Sequence, residues 1–195
     1  VMRSKNYDLL SDEGPKHIGA DQIWSGSSVP SGIKGKGEGQ IVGIIDTGIN
    51  TDHPSFAAVG GDGYEHENPF GDGVYVGDCV EEPEEIQCNN KLIGVRSYDV
   101  ITDAFDAMIP GWPAIGEDYQ GHGSHTASIA AGNVLYDVPF KIPAIDFTHE
   151  GIDTGYTIPQ MSGIAPHANV ISYQVCFPGN SGDKWVGCPA SGTLL

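Results

Sequence analysis

The stretch Gln40-Ile-Val-Gly-Ile-Ile-Asp-Thr-Gly48 decides how the rest of this sequence is read. Ile41, Val42, Ile44 and Ile45 make a short, nearly continuous apolar run rich in β-branched residues. Such a run predicts a strand buried on both faces of a parallel sheet. It stops at Asp46, and Thr47-Gly48 lets the chain turn sharply. Open α/β sheets place ligands in the crevice beyond the carboxyl ends of their strands. Asp46 therefore stands where a carboxylate of fixed geometry is useful. On this motif alone, an aspartate that only closes a turn is an equal reading.

Outward from that strand, residues 91–98 (KLIGVRSY) and 168–175 (ANVISYQV) form two further strand candidates, and Gly19–Trp24 a short helix. Between the second and third strands lies Tyr119–Gly132 (YQGHGSHTASIAAG), where His122 and His125 stand among small residues that predict a helix opening near His122. An imidazole at a helix N-terminus is suited to accept a proton, and a buried carboxylate would orient it. Asp46 is the candidate partner. Two other readings stay open. His122 and His125 could ligate zinc as an i, i+3 pair in a metal-dependent hydrolase, although metalloprotease helices use His-Glu-x-x-His and no third ligand is evident. Alternatively, both histidines are structural, and His125 in particular reads as a packing or hydrogen-bonding residue.

Strands alternating with helical segments imply an α/β layered fold with a mainly parallel sheet. Two stretches are too long for simple connections, residues 57–90 and 133–160, and read as surface insertions. Gly60-Gly-Asp-Gly63 and Gly71-Asp-Gly73 read as turns, because the spaced carboxylates of a calcium loop are missing. With 39% apolar residues, the 195-residue chain can bury a sizeable core. The net charge of −17 argues against nucleic acid as a partner and suits a soluble surface. No apolar run reaches the roughly 18 residues of a membrane helix, and no charged-then-apolar leader opens the chain. The four cysteines fall into local pairs, Cys79 with Cys88 and Cys176 with Cys188, each across a turn-rich loop. Zinc-knuckle spacing is absent, so disulfides and an oxidising compartment are expected, with free thiols as the alternative.

Gly39–Phe56 and Gly121–Ala127 resemble the aspartate and histidine motifs of subtilisin-like serine proteases. Met161-Ser-Gly-Ile-Ala-Pro-His-Ala168 is similar to the Gly-x-Ala-Pro segment that leads into a core strand of that family. The three motifs follow the family's order, and the similarity runs from about Gly14 to the end of the chain. The resemblance implies a three-layer subtilisin-like α/β fold with a mainly parallel sheet, incomplete in this chain. Residues 1–13 would be a leading segment or propeptide remnant, and residues 14–195 the amino-terminal part of the peptidase domain.

It also implies that Asp46 orients His122, and that His122 is the base of an Asp-His-Ser triad in a secreted endopeptidase hydrolysing peptide bonds. The serine is expected beyond Leu195. In Ser191-Gly-Thr-Leu-Leu195, Leu194 follows the threonine where the family has its nucleophile, and Ser124 sits too close along its own helix to serve His122. The oxyanion asparagine and the substrate-binding strand are likewise expected outside this stretch. Where many bacterial members carry a calcium-binding aspartate, this chain has Ser55. No cofactor is needed for the chemistry, and a structural calcium is left unassigned. The Cys176 and Cys188 pair resembles that of plant-type and some secreted bacterial members.

The expected partners are protein or peptide substrates and the remaining carboxyl-terminal part of the domain. Leu195 is expected to mark a processing boundary or other cut, leaving residues 1–195 alone inactive and poorly soluble or partly unfolded. A non-catalytic, subtilase-like binding or scaffold protein is the alternative.

Overall fold

The computed structural model describes residues 13–108, 115–142, 151–177 and 187–188. In chain order the elements are α1 (Gly14–His17), α2 (Ala20–Ser25), β1 (Ile41–Asp46), a 3-10 turn (Pro54–Phe56), β2 (Val76–Gly77), α3 (Asp78–Glu81), β3 (Leu92–Arg96), α4 (Asp99–Met108), α5 (His122–Ala131), β4 (Leu135–Ile142), β5 (Ile152–Met161) and β6 (Asn169–Gln174). They fall into two compact units. One holds Val1–Gly35 with Tyr136–Met161, and the other Lys36–Leu135 with Ser162–Leu195.

In the first unit, α2 is bounded at both ends by glycines in the left-handed region, Gly19 (φ 79°) and Gly26 (φ 76°). That conformation costs glycine nothing and stops the helix after six residues. The strands β4 and β5 form a separate two-stranded sheet. The stretch expected to be a surface insertion is thus largely strand, with Tyr136, Phe140, Ile152 and Tyr156 exposed.

The second unit is built on a four-stranded sheet ordered β1-β6-β3-β2, with every pairing parallel. Ile41 stands opposite Asn169 and the register continues to Asp46 opposite Gln174. The carboxyl ends of β1, β6 and β3 therefore lie along one edge. Ile44, Leu92, Val95 and Val170 join Ala127 and Ala131 of α5 in one apolar cluster. Ala127 and Ala131 are four apart, so they share a helix face, and their small side chains let α5 lie close against the sheet.

The expectation that β1 is buried on both faces is corrected. Among the described residues β1 is the outer strand, and Ile44 packs inward while Ile45 is 72% exposed. The apolar run reports strand propensity on both faces, but only the face against α5 is covered.

Residues 57–90 do more than cover the surface. Cys79 and Ile86 enter the core cluster, and the Cys79–Cys88 disulfide closes the loop that carries them. Asp62, in one of the glycine-rich turns, accepts from Lys36 Nζ (3.1 Å), and the His167 ring lies between Asp62 and Glu38, its Nε2 3.0 Å from Asp62 Oδ2 and its Nδ1 2.7 Å from Glu38 Oε1. The ring of Tyr64 stacks on His167 at 3.7 Å. Close by, Lys91 is fully buried, and its Nζ donates to the carbonyls of Pro166 and Ala168. Burial pushes its ammonium down to about 7.

Candidate active site

Asp46 ends β1, and Thr47-Gly48 turns the chain away from the sheet edge. The Thr47 N–H donates to Asp46 Oδ1 at 2.8 Å, which fixes the carboxylate against its own turn. Gly121, in the left-handed region at φ 84°, precedes α5 and places His122 at the helix start. Although 76 positions separate them, His122 Nδ1 lies 2.8 Å from Asp46 Oδ1 and 3.0 Å from Oδ2. The carboxylate is sheltered at 13% exposure, whereas the imidazole is 68% exposed. One ring nitrogen is held by the protein, and the opposite edge of the ring faces outward.

The pair borders a cleft of about 240 Å³, walled by Ile45, Gln120, Phe177 and the Cys176–Cys188 disulfide. The Cys176 N–H reaches the Asp46 carbonyl at 3.2 Å, so the disulfide is tied to the strand end that bears the carboxylate. The other residues singled out from the sequence fall elsewhere. His125, read as a packing or hydrogen-bonding residue, is exposed on α5. Ser124 Oγ accepts from the Asn50 N–H at 3.0 Å and is committed to the turn after β1. Among the described residues, no group of three His, Cys, Asp or Glu side chains is arranged to hold a metal ion. Ser55 is buried within the 3-10 turn, its N–H on His53 Nδ1. The Ser191–Leu195 segment lies outside the described residues.

The subtilase family model matches residues 37–188. This chain belongs to the subtilase family. It is 33% identical over 186 residues to subtilisin-like protease SBT2.4 of Arabidopsis thaliana, covering 91% of this chain and 20% of that protein. To subtilisin-like protease SBT2.6 of the same plant it is 35% identical over 182 residues, again 91% of this chain and 20% of the relative. To SBT4.6, also from Arabidopsis thaliana, identity is 36% over 139 residues, 71% of this chain and 15% of the relative. The chain thus spans about a fifth of the length of the first two relatives. Its parallel sheet with helices is part of the subtilisin-like α/β fold.

Around the pair, this subtilase buries polar residues that the sequence reading passed over. Asp118 is 5% exposed. Its Oδ1 accepts from Thr47 Oγ1 (2.8 Å) and the Gly121 N–H (2.9 Å), and its Oδ2 from the Ser124 N–H (2.7 Å). The Thr47 hydroxyl in turn accepts the Gly123 N–H at 2.8 Å. Gln174, fully buried at the end of β6, donates to the carbonyls of Glu117 (2.7 Å) and Thr47 (3.3 Å) and accepts from Ser97 Oγ and the Gly116 N–H. Burial, reinforced by Asp52 and Asp118, raises the Glu117 carboxyl above its ordinary range. One local signal pointed to Asp118: an aspartate just ahead of a helix commonly caps it.

Proposed function

We propose that this chain supplies the aspartate and histidine of an Asp-His-Ser triad in a secreted serine endopeptidase, with the serine contributed by a segment outside these residues. The observation that carries the reading is the 2.8 Å contact between His122 Nδ1 and Asp46 Oδ1 beside an open cleft. Asp46 accepts the Nδ1–H and selects the tautomer whose Nε2 lone pair faces outward. Nε2 then takes the serine Oγ proton as oxygen attacks the substrate carbonyl. The same proton passes to the departing amine when the C–N bond breaks. Water, deprotonated by His122 in the second half-reaction, releases the acyl group and restores the serine. No step needs a metal or an organic cofactor.

The substrates are proteins or peptides. The two disulfides support an oxidising, extracellular location. The complete protein tests the proposal when treated with a fluorophosphonate probe and assayed on a peptide substrate. Covalent labelling of one serine, lost in His122→Ala, supports it. Absence of labelling and of cleavage would favour a non-catalytic binding protein.

A further inference from the structure

We propose that Asp118 is a positioning residue for the Asp46 and His122 pair, acting through the hydroxyl of Thr47; the proposal rests on the peptidase reading above. The pair is assembled from two independent elements, the end of β1 and the start of α5, and each fluctuates separately unless something ties them. The tie sits one residue along from each partner, since Thr47 follows Asp46 and Gly123 follows His122. Beside the Asn50 N–H bond to Ser124 Oγ, the Thr47 hydroxyl joins the two next to the pair itself: Thr47 Oγ1 accepts the Gly123 N–H at 2.8 Å and donates to Asp118 Oδ1 at 2.8 Å. Meanwhile the Thr47 N–H holds Asp46 Oδ1, the oxygen nearest His122 Nδ1.

Asp118 anchors this hydroxyl because its remaining bonds go to the opening of α5, to the N–H groups of Gly121 and Ser124. Three donors on one buried carboxylate leave it a single position, and negative charge at a helix N-terminus is favourable. Asparagine offers a single acceptor oxygen and would turn an NH2 toward one of those donors. Asp118 itself reaches neither the cleft nor the ring. Its effect is therefore expected on the geometry of the pair, where a displacement of about 1 Å costs on the order of a hundredfold in rate.

The test compares Thr47→Val, Thr47→Ser and Asp118→Asn in the complete protein. We expect Thr47→Val to lower kcat ten- to a hundredfold with KM within about twofold, because the hydroxyl is engaged by Gly123 and Asp118 although Thr47 borders the cleft. Thr47→Ser keeps the hydroxyl and should recover most of that loss, and Asp118→Asn should reproduce Thr47→Val. A second readout needs no activity. The downfield NMR resonance of the His122 Nδ1 proton should shift or broaden in Thr47→Val and return in Thr47→Ser, at temperatures where all variants are folded by circular dichroism. An unchanged resonance in Thr47→Val overturns the proposal whether or not the protein proves to be a peptidase. Failure of Thr47→Ser to recover either readout would also overturn it.

Discussion

Gly48 and Gly123 meet backbone to backbone, so closely that a methyl group on Gly123 would overlap the carbonyl oxygen of Gly48. Gly48 also lies in the left-handed region at φ 119°, where a Cβ would come within 2.6 Å of the Gly116 carbonyl oxygen. This contact lets the turn after Asp46 approach the first turn of the histidine helix. The missing side chain of Gly123 lets α5 come this close to the turn, and that of Gly48 clears the Gly116 and Glu117 carbonyls on its other side.

Gly123→Ala is accordingly expected to drive the two elements apart. The clash is with backbone, which cannot rotate away, so both fold and site respond. We expect a loss of about 2 kcal/mol or more in stability and, on the proposed function, at least a hundredfold in kcat/KM of the complete protein. Thermal melts and peptide hydrolysis assays measure the two effects. Wild-type behaviour in both would show that the close approach is unimportant.

Replacing the two groups of the proposed triad should separate chemistry from stability. His122 is 68% exposed, so His122→Ala removes little packing. Its activity should fall by about 10⁴ or more while its Tm stays within a few degrees of wild type. Asp46→Asn should cost a comparable factor by presenting the wrong hydrogen-bonding group to Nδ1. Steady-state kinetics beside circular dichroism decide this, and substantial turnover by His122→Ala would place the base elsewhere.

Opening the Cys79–Cys88 bridge is expected to be costly, because its 9-residue separation closes a loop that carries Ile86 into the core. The chain-entropy estimate for such a loop is roughly 2 to 3 kcal/mol. Non-reducing peptide mapping checks the pairing. Denaturant titration of the Cys79→Ala, Cys88→Ala double variant checks the magnitude.

Two buried bases give the stability a signed pH dependence. Burial, with Lys91 nearby, lowers His66 from 6.5 to about 4, so the unfolded chain binds the extra proton between those values. Stability from this group is present above pH 6.5 and lost as pH falls toward 4, a change on the order of 3 kcal/mol. For Lys91, lowered from 10.5 to about 7, stability rises as pH climbs from 7 toward 10.5. Equilibrium unfolding of His66→Gln should flatten the acidic limb, and that of Lys91→Met the alkaline limb. A wild-type slope surviving in either variant would reject that assignment.

Much of the frame was legible in the chain itself. The apolar runs before Asp46, after Asn90 and after His167 became β1, β3 and β6 within a residue or two of the expected bounds, and α5 begins at His122 as the glycine-then-small-residue pattern predicted. These are local signals, in which β-branched crowding favours extended backbone and small residues after glycine favour a tightly packed helix. The strands β4 and β5 escaped because their side chains are mostly exposed, leaving no burial pattern to read. The two-residue β2 is too short to carry a pattern at all.

The sequence by itself determined β1, β3, β6, α2 and α5, the turn at Asp46 and the local cysteine pairs, because each depends on residues close along the chain. Only the tertiary structure decided that β6 lies between β1 and β3, and that Thr47 meets Asp118 across 71 positions and Gln174 across 127. Those contacts follow from the register of parallel strands, which brings distant segments to one sheet edge. Their hydrogen bonds form there because buried polar groups left unpaired would be costly, a constraint that acts only once the chain is folded.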